Sequence, residues 1–157
     1  MKIAIMISAA LLGAGACKKT NSEGGGGGGK AVATKLPKLG LQIDIPGDIV
    51  NVGDAVMAEG NSIVGSDVGA MQVEIFKDPQ TIDQAKDDAK MFNPKNVKEE
   101  KLADGWTLSF ENTGSMGTNY WVTVRRDIGG KTYKCWVTGN TKGQADATLA
   151  ACKTLRP

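Results

Sequence analysis

The side chains best placed to do chemistry are Trp121, Arg125, Lys134 and Trp136. They fall in two alternating runs, residues 120–125 and 133–138, and in a strand every second side chain shares a face. On paired strands Trp121 and Trp136 become diagonal neighbours, with Arg125 opposite Lys134. Two indoles beside two cations make a ligand-binding platform for a glycan, a peptide or an anionic polymer. Arg125 against Lys134 is mildly repulsive unless something acidic sits there. The competing reading is that a helix over residues 81–91, or another strand, covers both tryptophans as a second small core. The tendency of tryptophan to be mostly buried favours that reading.

The other polar residues do not assemble a catalytic set. The chain has no histidine, which removes His-dependent triads, His-ligated metals and imidazole acid–base work. Asp87-Asp88 and Glu99-Glu100 offer no matched acid and base, and charged runs of this kind are usually solvated. Asp44, Asp48 and Asp54 lack the spacing and closing glutamate of a calcium loop. Residues 24–30 match G-x-x-x-x-G-K, but Ala31 stands where a hydroxyl would hold magnesium, and no strand precedes the run. Gly130-Lys131-Thr132 has the right ending, with Arg125 where the first glycine belongs. No nucleophile sits in a recognisable motif. The expectation is no enzyme, no cofactor and no metal. From Lys30 onward sixteen basic residues balance sixteen acidic ones, so net charge offers no support for nucleic acid as a partner.

Three cysteines remain, Cys17, Cys135 and Cys152. An odd count in an exported chain leaves one thiol over, and the position of Cys17 explains it. Lys2 is followed by an apolar run over residues 3–12, then by the small residues Gly13, Ala14, Gly15 and Ala16. That run is too short to span a bilayer, which needs about 20 residues, and the pattern is that of a signal peptide. Leu11, Leu12 and Ala14-Gly15-Ala16-Cys17 resemble the lipobox of bacterial lipoproteins, with Ala14 where leucine is usual and Lys2 as the only early charge. The resemblance covers residues 1–18. It implies a signal peptide over 1–16, and lipidation of Cys17 by palmitate-type acyl chains. Two or more chains hold a membrane stably, at about 0.8 kcal/mol per buried methylene. By the same resemblance, Lys18 in place of aspartate implies the outer membrane. Residues 17–37, with six consecutive glycines, read as the lipidated anchor and a flexible linker.

Residues 38–157 read as a single α+β domain, a length that can bury a core. Residues 39–45 alternate as a half-buried strand closed by Pro46-Gly47. Residues 48–54 read as a loop, 55–64 as a weaker strand, and Met71, Val73 and Ile75 mark a third. Thr81 and Gln84 fit a capping box, with Ile82, Ala85 and Ala89 at helical spacing and Asn93-Pro94 as the stop. A three-stranded meander follows. A two-residue turn at Gly129-Gly130 pairs Val124 with Cys135 and Val122 with Val137. Centring the previous turn on Ser115 pairs Phe110 with Tyr120 and Leu108 with Val122. One face then carries Trp106, Leu108, Phe110 and these partners, while Thr107 and Ser109 join the face of Trp121 and Trp136.

The closing helix starts at another possible capping box, Thr141 and Gln144, and its stripe is Ala145, Thr148, Leu149, Cys152 and Leu155. Cys135 and Cys152 both point into the core, and in an exported protein a disulfide is the natural outcome. The expected fold is therefore an antiparallel sheet ending in a meander, with two helices packed on it and the last one stapled by the disulfide. The element order over about 38–155 is similar to that of PsbP-like domains. That similarity implies a small extracytoplasmic binding or assembly role and transfers no residue. The expected function is a lipid-anchored envelope lipoprotein displaying a non-catalytic binding domain, with an envelope protein or a cell-wall ligand as partner. The alternatives are a ligand-binding module on the Trp/basic face, or an inhibitor of a secreted enzyme.

Overall fold

The computed structural model describes residues 30–55, 58–139 and 141–157. The expected signal peptide, Cys17 and the glycine run lie outside the described residues, as do Val56 and Met57 in the strand expected over 55–64. The fold is α+β. Strands β1 (Val32–Leu36) and β2 (Leu41–Ile45) form a separate antiparallel hairpin. The main sheet contains β3 (Ile49–Asp54), β4 (Gly60–Gly65), β5 (Gly69–Ile75), β6 (Lys95–Leu102), β7 (Gly105–Gly114), β8 (Gly117–Ile128) and β9 (Lys131–Gly139). It is antiparallel throughout, in the order β3-β4-β5-β9-β8-β7-β6. Helix α1 (Ile82–Ala89) and a 3-10 turn (Lys90–Phe92) carry the chain from β5 to the far edge at β6. Helix α2 (Lys142–Lys153) follows β9.

Each face of the sheet carries an apolar core, and each helix packs on one of them. The inner face presents Ile63, Met71, Val73, Val122, Val124, Cys135 and Val137. It meets the apolar side of the β1–β2 hairpin and the α2 stripe of Ala145, Ala151 and Cys152. The outer face carries a smaller core in which Ala85 and Ala89 of α1 pack on Trp106 and Leu108, with Ile82 and Phe110 beside them. Both helix starts are capped, α1 by the expected capping box and α2 by only half of the one expected there. In α1 the Thr81 hydroxyl accepts from the Gln84 N–H at 3.2 Å, while the Thr81 N–H donates to Gln84 Oε1 at 2.8 Å. Such reciprocal pairing satisfies two otherwise orphaned donors. In α2 the Thr141 hydroxyl accepts from the Gln144 N–H at 3.2 Å, and no return bond is made. Cys135 and Cys152 form the expected disulfide across 5.7 Å between Cα atoms.

Three expectations are corrected. Residues 32–36, assigned to the linker, are strand β1, with Thr34 and Leu36 buried against the core. Residues 49–54, read as a loop, are the edge strand β3. It is largely exposed on a bulged pairing with β4, so its polar residues cost little there. Third, the β7–β8 turn is the two-residue Ser115-Met116 between the paired Gly114 and Gly117. The register is thereby one residue away from the expected one. Phe110 pairs with Trp121, Leu108 with Thr123 and Trp106 with Arg125. A one-residue slip exchanges the faces of a strand, so Trp106, Leu108 and Phe110 belong to the outer core. Thr107, Ser109 and Glu111 lie instead on the inner face. The β8–β9 register is the expected one.

Candidate functional site

The structure places Trp121, Arg125, Lys134 and Trp136 on the outer face, as expected, but it does not leave them as one open platform. Trp121 is half-buried in a cluster with Phe92, at 4.6 Å between ring centroids, and Phe110, at 5.7 Å. Its Nε1 donates to Asn112 Oδ1 at 2.9 Å. The guanidinium of Arg125 donates to the Gln80 carbonyl at 3.1 Å and pairs with Asp127 at 3.0 Å. The same Gln80 carbonyl accepts from Trp106 Nε1 at 3.2 Å, so Arg125 and Trp106 together pin the lead into α1. Asp127 is the acidic neighbour that makes Arg125 opposite Lys134 tolerable. Lys134 lies over the rings of Phe76 and Trp136, at 5.7 and 5.3 Å, a cation–π arrangement.

Trp121 is therefore a packing residue. Trp121→Ala is expected to lower the unfolding free energy by about 2 kcal/mol, the range for removing a half-buried aromatic surface. A reduced urea midpoint of the full-length protein would show it; an unchanged midpoint would return the ring to solvent.

A cleft opens on the other side of the sheet. Helix α2 lies over β8, β9 and β2. It leaves the inner face of β7 and β6 uncovered, because those strands offer Ser109, Glu111 and Lys98 there rather than apolar side chains. The result is a cavity of about 500 Å3. Its floor is Ser109, Glu111, Tyr120 and Val122. The helix wall is Lys142, Ala145, Asp146 and Leu149, and the strand wall is Asn96, Val97 and Lys98. The volume falls in the roughly 300–1,000 Å3 range of small-molecule sites.

Local backbone choices set the walls. A bulge between Lys95 and Lys98 breaks the β6 ladder, and within it Asn96 adopts φ 51°. Asparagine tolerates this left-handed conformation better than most side chains, and bulges re-aim the residues they contain. Here Asn96 Nδ2 reaches across to Glu111 Oε1 at 2.5 Å and fixes that carboxylate against the floor. On the helix, Lys142 pairs with Asp146 one turn later. The Asp146 carboxylate raises the pKa of the Lys142 ammonium above its ordinary value, with smaller support from Tyr120 and Glu111.

Beyond the cleft-lining residues, α2 is tied to the sheet by charge. Lys153 of α2 bridges to Glu100 of β6 at 2.5 Å. Beside it Arg126 pairs with Asp104 at 2.8 Å and donates to the Cys152 and Lys153 carbonyls. Those carbonyls lie at the C-terminal end of α2, where a cation complements the helix dipole.

Sequence reasoning touches this cleft only at Trp121, which with Phe110 also lines it although both side chains lie on the outer face. The cleft residues come from β6, β7, β8 and α2 with no motif, and the expected register put Ser109 on the opposite face from Val122. Among the described residues no group of three or more Cys, Asp or Glu is placed to hold a metal ion. No helix there is long and apolar enough to cross a membrane. No protein-family model matches the chain, and no curated protein matches it.

Proposed function

We propose that this chain is a lipid-anchored envelope lipoprotein displaying a non-catalytic binding domain, and that the cleft between α2 and β6–β8 is its binding site. The cleft carries the reading: the side chains of Lys98, Ser109 and Tyr120 line it and make no hydrogen bond or ion pair with the other described residues. Polar groups gathered in a concave site without internal partners are available to a ligand. The anchor rests on the lipobox-like residues before Cys17, and the Cys135–Cys152 disulfide fits an oxidising compartment.

The anchor is tested by Cys17→Ser, which removes the acylated thiol. The variant is expected to leave the membrane fraction almost completely and to lose its acyl mass in intact mass spectrometry. Retention with an unchanged mass would refute lipidation at Cys17. The site is tested by amide NMR of the full-length protein in a polyoxyethylene detergent, titrated with soluble fragments of digested cell envelope. Shifts concentrated at Lys98, Ser109, Tyr120 and Asp146 support the cleft.

A second reading keeps the outer face. Trp136 Nε1 and the Oε1 of its cross-strand neighbour Gln72 are both buried with no hydrogen-bond partner among the described residues. Shifts centred on Gln72, Trp136 and Thr138 would select that face instead.

A further inference from the structure

We infer that the ligand of the cleft is a neutral, hydroxyl-rich molecule, a short oligosaccharide, and this inference rests on the cleft being the binding site. The walls carry two ammonium groups, Lys98 and Lys142, and two carboxylates, Glu111 and Asp146. An anion bound here meets both carboxylates, and a cation meets both ammonium groups, so neither gains a net field. Asp146 is already occupied by Lys142, and Glu111 by Asn96.

The groups left over differ in kind from an ion-binding set. Ser109 and Tyr120 each present a hydroxyl that both donates and accepts, and Lys98 adds a donor. Glu111 and Asp146 retain further acceptor capacity, since a carboxylate offers about four lone-pair sites. A sugar hydroxyl is itself both donor and acceptor, and a chain of them can satisfy such a mixed wall without importing charge. Burying those groups against an ion or an alkyl chain would leave donors and acceptors unpaired.

Beside Val122 and Ala145, which belong to the buried core, the cleft shows the partly exposed apolar side chain of Leu149 between its polar walls. It matches the C–H face of a pyranose ring, whose hydroxyls project outward from the ring edge. A volume of about 500 Å3 accommodates a short saccharide rather than a polymer end alone.

The test titrates the full-length protein, in a detergent without sugar headgroups, with chitotriose, cellotriose and maltotriose, and in parallel with a zwitterionic tripeptide and inorganic phosphate. At least one trisaccharide is expected to shift the Ser109, Tyr120 and Leu149 amides at concentrations up to about 10 mM, the weak end of measurable affinity. Ser109→Ala with Tyr120→Phe is expected to weaken that binding about tenfold, the effect of losing two modest hydrogen bonds. Thr138→Ala on the outer face is expected to leave it unchanged. Lys98→Met, on the exposed edge strand, serves as the second variant if the double one unfolds, and it is also expected to weaken binding.

The ligand class is overturned if the tripeptide or phosphate shifts these amides while all three saccharides do not. It is equally overturned if saccharide affinity is indifferent to both variants. If envelope fragments shift the cleft and none of the trisaccharides does, the class fails while the cleft stands as the site. If neither does, both fail together.

Discussion

Gly105→Ala is expected to destabilise the fold by more than about 4 kcal/mol, a size reserved for clashes and lost networks rather than ordinary surface changes. An added Cβ at this position would lie 1.9 Å from the Arg125 carbonyl oxygen and 2.7 Å from its carbonyl carbon. Both are backbone atoms of β8. That strand cannot yield, because β9 holds it on the other side through a continuous ladder. Strand β7 must lift instead, and the ladder bond from the Asp127 N–H to the Asp104 carbonyl, at 2.6 Å, would go with it. Asp104 would then draw away from Arg126, which braces the end of α2. The loss therefore spreads from one hairpin to the helix wall of the cleft. Urea unfolding of the full-length protein reads the stability. Gly114→Ala is the matched control, since its Cβ meets nothing within 4 Å and the glycine has no positive φ. It is expected to be nearly neutral, within about 0.5 kcal/mol. A Gly105→Ala protein as stable as that control would contradict the close approach of β7 to β8.

The same hairpin shows where the sequence is and is not a guide. The β8–β9 register is legible because Gly129 and Gly130, at φ 59° and 77°, demand a tight turn of one length. The β7–β8 register is not, since Gly114-Ser115-Met116-Gly117 allows turns of two lengths. Alternation cannot arbitrate between them. Ordinarily a wrong register exposes apolar residues, but here a helix packs on each face of the sheet. Over β7 only the outer face is covered, since α2 lies on β8, β9 and β2, but the sequence does not say where the helices lie, so both pairings look acceptable from sequence. The consequence reaches the candidate site directly. With the register shifted by one, Ser109 and Glu111 leave the face of Tyr120 and Val122, and the cleft has no floor.

The outer face follows from the same accounting. Trp121, Arg125, Lys134 and Trp136 do share a face, which alternation alone specifies. Their availability depends on Phe92, Gln80 and Asp127, which reach them from a 3-10 turn, a loop and their own strand. Those are tertiary choices with no periodic signature. The edge strands were hidden for a different reason. Charged Lys95, Lys98, Glu99, Glu100 and Lys101 mark β6 as a strand that resists pairing with another chain, and such a strand lacks the apolar alternation by which strands are recognised.

Removal of the disulfide is expected to have the second large effect, about 3 kcal/mol for a loop of this length. Its two cysteines are separated by 17 positions and both are fully buried. The double variant Cys135→Ala/Cys152→Ala is therefore expected to unfold at clearly lower urea. Dithiothreitol is expected to leave the bond intact in the native protein and to reduce it once urea opens the core. Rapid reduction under native conditions would mean that α2 detaches far more readily than its packing implies. The cleft is tied to the same bond. Cys135 stands on β9 and Cys152 on α2, and Arg126 donates to the Cys152 carbonyl at 3.2 Å. Without the staple, the helix wall is held by Arg126, the Lys153–Glu100 bridge and the apolar stripe alone. Ligand-induced shifts at Asp146 and Leu149 are then expected to weaken before the sheet itself unfolds. Such a pair persists in oxidising compartments and not in a reducing cytosol, so its state in cells tests the proposed envelope location. Thiol trapping of the full-length protein in intact cells is expected to find Cys135 and Cys152 oxidised. Free thiols at both positions would remove the disulfide from the working protein and, with it, the support it lends to an envelope location.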